Sequence, residues 1–185
     1  MIFSNEKISS LSNEVKKRIS KKRFLHTCGV VKIAEKLSGY CLPEKKSELV
    51  CAAYLHDVTK ELSLSEHLKL IDEEGILISD DDTKTEAILH AFSAYCAVKR
   101  DFPEFATENI LSAVYNHTIG APEMTVFDEI IFLSDYIEET RTYDSAVRLR
   151  EFVLDNMKNG VLDENVSLLH KACITAIDNT ILHLI

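Results

Sequence analysis

Only five glycines and three prolines interrupt this 185-residue chain, and almost no stretch alternates apolar and polar side chains as a half-buried strand does. What recurs is a spacing of three and four. Ile8, Leu11, Val15 and Ile19 make one apolar stripe. His26, Val30, Ile33 and Leu37 make the next, in a segment from about Ser20 to Gly39. Leu49, Ala52 or Ala53, and His56 share a face of a third segment, which Pro43 can open from its first turn and which runs to about Lys60. Ser63–Glu66 and Thr83–Glu86 fit capping boxes. The first opens a short helix that Gly75 can end; the second opens a helix aligning Ala87, His90, Ala94 and Ala97. Beyond Pro103, Ile110, Ala113, Val114 and His117 line one face, and Gly120 and Pro122 mark a turn. Thr125 then precedes a helix carrying Phe127, Ile131, Asp135 and Glu138, and two further helices are expected at about 143–157 and 163–184. The pattern predicts an all-α protein, a compact orthogonal bundle of eight or nine helices in a single domain over 1–185.

A formal net charge of −9 argues against a nucleic-acid surface, which needs a basic stripe. No apolar run approaches the roughly 20 residues of a membrane helix, and the first residues show no signal-peptide pattern. The expectation is a cytoplasmic protein with no nucleic-acid or membrane partner. The five cysteines are odd in number and form no C-x-x-C, so they are expected to be reduced core residues. The run Asp80–Asp82 suits the positive end of a following helix and is expected to be a solvated cap.

Six metal-capable residues stand apart: His26, the doublet His56–Asp57, His90, His117 and Asp135. Each site falls in its own helical segment, on or near the stripe that should face inward. One histidine on an apolar face is more often a hydrogen-bonded core residue than a ligand, and one His-Asp dipeptide is close to chance. Burying ionised aspartates among imidazoles, however, is costly without a cation. If a bundle gathers them, they offer four imidazoles and two carboxylates, enough for two metal ions and a metal-dependent hydrolase. His67 is expected to face solvent, His170 to pack in the last helix, and His183 to lie near a fraying end.

The order His, His-Asp, late Asp at His26, His56–Asp57 and Asp135 resembles the HD-domain metal-dependent phosphohydrolase superfamily. The finer resemblance is to its YqeK-type branch, the symmetrical bis(5'-nucleosyl)-tetraphosphatases. It is carried by Arg23–Thr27, Leu55–Lys60, Leu89–Ala91, Asn116–Met124 and Leu133–Arg141, over about residues 20–142. Ser134, Glu139 and Ile119 depart from the usual Ala, Pro and Thr, which touches substrate details rather than metal ligands.

The resemblance implies a di-iron centre; mixed imidazole and carboxylate donors also suit manganese or zinc. His26, His56, Asp57 and Asp135 are then expected to hold one ion, and Asp57 to bridge to a second completed by His90 and His117. Neighbouring residues on a helix point about 100° apart, so His56 and Asp57 need a helix end or bend to serve together. Two metals about 3.5–4 Å apart can activate water and neutralise a phosphoryl oxygen. The expected reaction is symmetrical cleavage of diadenosine tetraphosphate to two ADP, with Asp57 and Lys60 catalytic. Arg23, Lys60, Thr118 and Arg141 are candidates for holding phosphates, and Glu138 for orienting a ligand histidine or pairing with Arg141 or Arg23. Alternatives are an HD hydrolase acting on another nucleotide, with a link to NAD metabolism, or a non-catalytic module that binds metal and nucleotide. The sequence leaves open whether the helices after Arg141 cover the pocket or form a homodimer surface.

Overall fold

The computed structural model describes residues 2–79 and 86–184, with the side chains of 86, 183 and 184 outside that description. Asp80–Asp82, the box Thr83–Glu86 and the side chain of His183 therefore lie outside the described residues. Among the described residues there are nine α-helices and no strand. They are α1 (Asn5–Arg18), α2 (Lys21–Cys41), α3 (Lys46–Leu55), α4 (Leu64–Glu73), α5 (Glu86–Asp101), α6 (Glu108–Asn116), α7 (Val126–Ile137), α8 (Asp144–Asn156) and α9 (Leu162–Leu184).

Polar side chains start these helices by taking up first-turn N–H groups that have no partner within the helix. Ser4 accepts from Lys7, Ser20 from Arg23 and Thr107 from Ile110. Ser63–Glu66 forms the expected capping box, and Thr125 forms a second one with Asp128. Pro43 and Pro103 each begin a single 3-10 turn, Pro43–Lys45 ahead of α3 and Pro103–Phe105 ahead of α6. Gly75 has φ +66°, a conformation that leaves the helix direction at low cost only for a residue without Cβ.

α2 packs on α3 and α7, α6 packs on α3, α5 and α7, and α9 covers α7. The shared core is built from the predicted stripes. Val30, Leu37, Leu49, Leu55, Ile110, Val114, Ile131 and Leu133 are fully buried in one cluster. α4 and α5 close over a smaller cluster of Leu70, Ile71, Leu89, Phe92 and Cys96. Buried polar groups tie the layers together. Glu48, at the start of α3, accepts from Thr107 Oγ1 at 2.5 Å and from Lys45 Nζ at 3.1 Å. Asn165 of α9 donates to the Tyr40 carbonyl at 3.2 Å and the Lys158 carbonyl at 2.7 Å.

Three expectations are corrected. α3 stops at Leu55 rather than near Lys60, because the chain tightens into i→i+3 bonds from Leu55 to Leu62. His67 is buried, not solvent-facing: its Nδ1 lies 2.7 Å from Ser93 Oγ under α5. His170 does not pack inside; its side chain is 48% exposed and reaches across to Glu129 Oε2 at 2.5 Å. Ala87 of α5 is exposed as well, so the inner face of that helix begins at Leu89 and His90. All five cysteines are free, four of them buried. No helix among the described residues is long and apolar enough to cross a membrane.

Ile131 sits fully buried where α7 meets the core. Ile131→Ala is expected to lower the unfolding free energy by about 2–5 kcal/mol, read as a shifted urea midpoint by circular dichroism.

Candidate metal centre

Five helices converge on one buried point. α2 brings His26, the end of α3 brings His56 and Asp57, and α5 brings His90. The end of α6 brings His117 and α7 brings Asp135. All of them are buried except Asp135, which is partly open. Their donor atoms fall into two groups, His26 with His56 and Asp135, and Asp57 with His90 and His117. Within each group the atoms lie within 4.8 Å of one another.

Asp57 joins the two groups. Its Oδ2 is 3.5 Å from both His26 Nε2 and His56 Nε2. Its Oδ1 is 3.3 Å from His90 Nε2 and 3.6 Å from His117 Nε2. The doublet can face both groups because His56 is the C-cap of α3 and the backbone turns immediately after it. A regular helix through Lys60 would have aimed the two side chains apart.

The imidazoles are turned by their outer nitrogens. His56 Nδ1 and His117 Nδ1 lie 2.7 Å from the Ala53 and Val114 carbonyls. A carbonyl only accepts, so these Nδ1 atoms carry the proton and the Nε2 lone pairs point inward. His56 Nε2 is buried with no hydrogen-bond partner. His90 Nε2 and His117 Nε2 lie only 3.0 Å apart. Ring nitrogens crowded in this way, between two carboxylates, suit a divalent cation.

The titration behaviour of the protein atoms agrees with that fit. Burial works against a charge on His26, but Asp135, Asp57 and Glu138 outweigh it and raise its pKa to about 10. A cation would displace that proton. Burial dominates at His90 and lowers its pKa to about 4 against the pull of Asp57, so the ring is a neutral donor. Burial also opposes ionisation of Asp57 and Asp135, yet the surrounding imidazoles, with Arg141 beside Asp135, hold both well below the usual carboxylate range.

Cationic side chains border the cluster. Arg23 donates to Asp57 Oδ2 at 2.8 Å. Arg141 donates to Asp135 Oδ1 at 2.7 Å and to the Asp135 carbonyl at 3.1 Å. Lys60 Nζ is 3.0 Å from His90 Nδ1, and burial lowers its pKa. Thr118 Oγ1 lies 3.1 Å from the Nε2 atoms of His90 and His117. All four candidate phosphate-holding residues are thus brought to the donor set.

Glu138 was a candidate for orienting a histidine, but the groups that hold it and several others escaped the sequence reading. Glu138 ends α7, and its Oε1 holds His26 Nδ1 at 3.0 Å, while Arg141 Nε is 3.9 Å away. The Thr140 N–H donates to Glu138 Oε2 at 2.7 Å, and the Thr140 hydroxyl donates to Oε1. Gly29, one turn beyond His26, makes room for this carboxylate, since a Cβ there would overlap it. A glycine inside an otherwise continuous helix was the one signal available, because it costs about 1 kcal/mol relative to alanine without a packing reason. Thr59 Oγ1 donates to the His90 carbonyl at 3.0 Å and lies 2.8 Å from Ser93 Oγ, which ties the turn after Asp57 to α5. Arg150 of α8 donates to the carbonyls of Ile137 and Glu138 at 3.0 and 2.7 Å.

The chain matches the model of the HD domain over residues 23–140. It is 30% identical over 158 residues to a symmetrical bis(5'-nucleosyl)-tetraphosphatase of Halalkalibacterium halodurans, covering 83% of this chain and 80% of the relative. A Bacillus subtilis protein of the same name is 29% identical over 149 residues, covering 80% of this chain and 78% of the relative. Its fold is similar to the crystal structure of a predicted HD superfamily hydrolase involved in NAD metabolism from Clostridium acetobutylicum. The TM-score is 0.79 at 26% identity, covering 100% of this chain and 88% of that one. The chain belongs to the HD domain family. It is an enzyme, an HD-type hydrolase.

Glu138→Gln preserves the shape beside Gly29 but removes the charge behind His26. It is expected to weaken metal affinity by about 10–100-fold, measured by competition with a chelator, with helical content unchanged.

Proposed function

We propose that this protein hydrolyses diadenosine tetraphosphate symmetrically to two ADP at a dinuclear metal centre held by His26, His56, Asp57, His90, His117 and Asp135. The observation that carries the proposal is the two-sided placement of Asp57, with one carboxylate oxygen facing each donor group. The relatives from Halalkalibacterium halodurans and Bacillus subtilis, named for this reaction, support the choice of substrate. Iron is the metal this reading favours, with manganese and zinc compatible with the same donors.

Bound there, two divalent ions supply Lewis acidity toward a phosphoryl oxygen and lower the pKa of water. The chain's own residues do the rest. Asp57, His56 and His117 keep their lone pairs directed inward, and burial keeps bulk water from competing. Arg23 and Arg141 sit on the rim as planar forks suited to phosphate oxygens; each trades part of its carboxylate pairing for the substrate. Lys60 offers a compact charge beside His90, and the Thr118 hydroxyl donates from the opposite element. Phosphoanhydride cleavage needs positioning and charge neutralisation more than covalent help, and this set provides both. Water adds to a central phosphorus, the central bridging oxygen leaves with one half, and each half departs as a nucleoside diphosphate.

A second reading is hydrolysis of another nucleotide by the same centre. The Clostridium acetobutylicum neighbour, named for NAD metabolism, favours it.

Anaerobically purified protein is expected to carry close to two metal ions per chain by elemental analysis. Its turnover of diadenosine tetraphosphate is expected to release only ADP by chromatography; AMP with ATP would refute the symmetrical assignment. Asp57→Ala is expected to abolish turnover, whereas His170→Ala, on an exposed face, is expected to leave it near wild type. Comparable losses from the two would end the residue assignment.

A further inference from the structure

Two cavities adjoin the donor cluster, and Arg141 lines both. The first, of about 470 Å³, is lined by His117, Asp135, Phe132, Tyr136, Tyr143 and Thr180 of α9. The second, of about 520 Å³, is bordered by His26, Lys22, Arg23 and Glu61 and has no Phe or Tyr among its lining residues. Both volumes lie in the range of small-molecule sites. Their chemistry differs: one is aromatic, the other charged.

A dinucleoside polyphosphate cleaved at its centre extends in two directions from the reacting phosphorus, with phosphates first and a flat base at each end. The aromatic cavity offers both kinds of contact. Its wall combines the Arg141 fork and the metal-donor residues with the rings. Tyr136 and Tyr143 meet edge to face, with centroids 5.7 Å apart at 80°. The Tyr136 hydroxyl donates to Ser145 Oγ at 3.2 Å and the Tyr143 hydroxyl reaches the Tyr136 carbonyl at 3.4 Å, which fixes both rings across the α7–α8 corner. A preset ring face beside an arginine is a stacking platform for a base.

We propose that this aromatic cavity is a nucleoside subsite. It takes the base and ribose of one nucleoside diphosphate half, with Arg141 in its wall holding the phosphates. The charged cavity receives the other half, without a tyrosine or phenylalanine to stack on. The two ends of a symmetrical substrate are therefore held by different chemistry, and base preference is set at one end. Thr180 gives α9 a part in the site, in the wall of this cavity. This inference rests on the reading of the protein as a dinucleotide hydrolase.

The test compares the metal-loaded wild type with Tyr143→Ala, Tyr143→Phe and Thr180→Trp, the last placed on an exposed helix face to fill the cavity without disturbing the core. ADP and inorganic pyrophosphate binding are measured by calorimetry, and steady-state constants are measured on diadenosine tetraphosphate. Tyr143→Ala and Thr180→Trp are expected to weaken ADP binding and raise KM by about 10-fold, with pyrophosphate affinity and kcat unchanged. Tyr143→Phe, which keeps the ring but loses the hydroxyl's bond to the Tyr136 carbonyl, is expected to bind ADP more tightly than Tyr143→Ala. Wild-type ADP affinity in folded Tyr143→Ala or Thr180→Trp would overturn the subsite, as would equal losses for ADP and pyrophosphate. The two readings fail separately. A wild type that cleaves the dinucleotide while both variants keep its KM loses only the subsite. A wild type that leaves the dinucleotide intact yet binds ADP through Tyr143 loses only the substrate assignment.

Discussion

The arrangement depends on one buried carboxylate. Asp57 is 3% exposed and surrounded by four imidazoles and an arginine. An ionised group so placed would be expelled or neutralised unless opposite charge met it from several sides. The fold supplies Arg23 and the charged His26 from α2 and further ring nitrogens from α3, α5 and α6, which is why those helices must cross where they do. Each contributes a nitrogen to the same point while its remaining length packs an ordinary apolar stripe. The bundle's hydrophobic core and its polar centre are therefore one structure: the first sets the helix crossings, and the second uses them.

The polar centre is in turn held by a shell that is mostly backbone. Carbonyls of Ala53 and Val114 hold two of the rings, and the Thr140 N–H holds the carboxylate that fixes a third. Backbone groups cannot rotate away, so the donors are oriented before any ion arrives. The same economy appears at the α7–α8 corner, where Arg150 gathers carbonyls from both sides of the turn. That corner keeps Glu138, Arg141 and Tyr143 at the edge of the cluster, so the C-terminal helices contribute to the pocket wall as well as to the core.

Much of this was legible in the sequence. The stripes on α2, α3 and α6 named their buried residues correctly, Ile8 of the α1 stripe is only partly buried, and the caps at Ser20, Ser63 and Thr125 marked helix starts to within a residue. The six donors could be named because each interrupts an apolar stripe with a group that is costly to bury. The failures have a common cause. His67 and His170 were misassigned because a helix face predicts burial only when it is known what covers it. α5 covers His67, while nothing among the described residues covers the outer side of His170. The end of α3 was misplaced because the residues after Leu55 have no breaker; Thr59 leaves the helix for a partner on α5 that periodicity cannot see.

The sequence by itself determined that the chain is helical, which faces are apolar and which side chains could bind a metal, since all three follow from residue type and a 3.6-residue period. Only the tertiary structure decided that His26, Asp57, His90 and Asp135 meet, that Asp57 turns an oxygen toward each side, and that two cavities of unlike chemistry share Arg141. Those facts depend on how helices far apart in the chain cross, and crossing is settled by the fit of whole surfaces rather than by any local spacing.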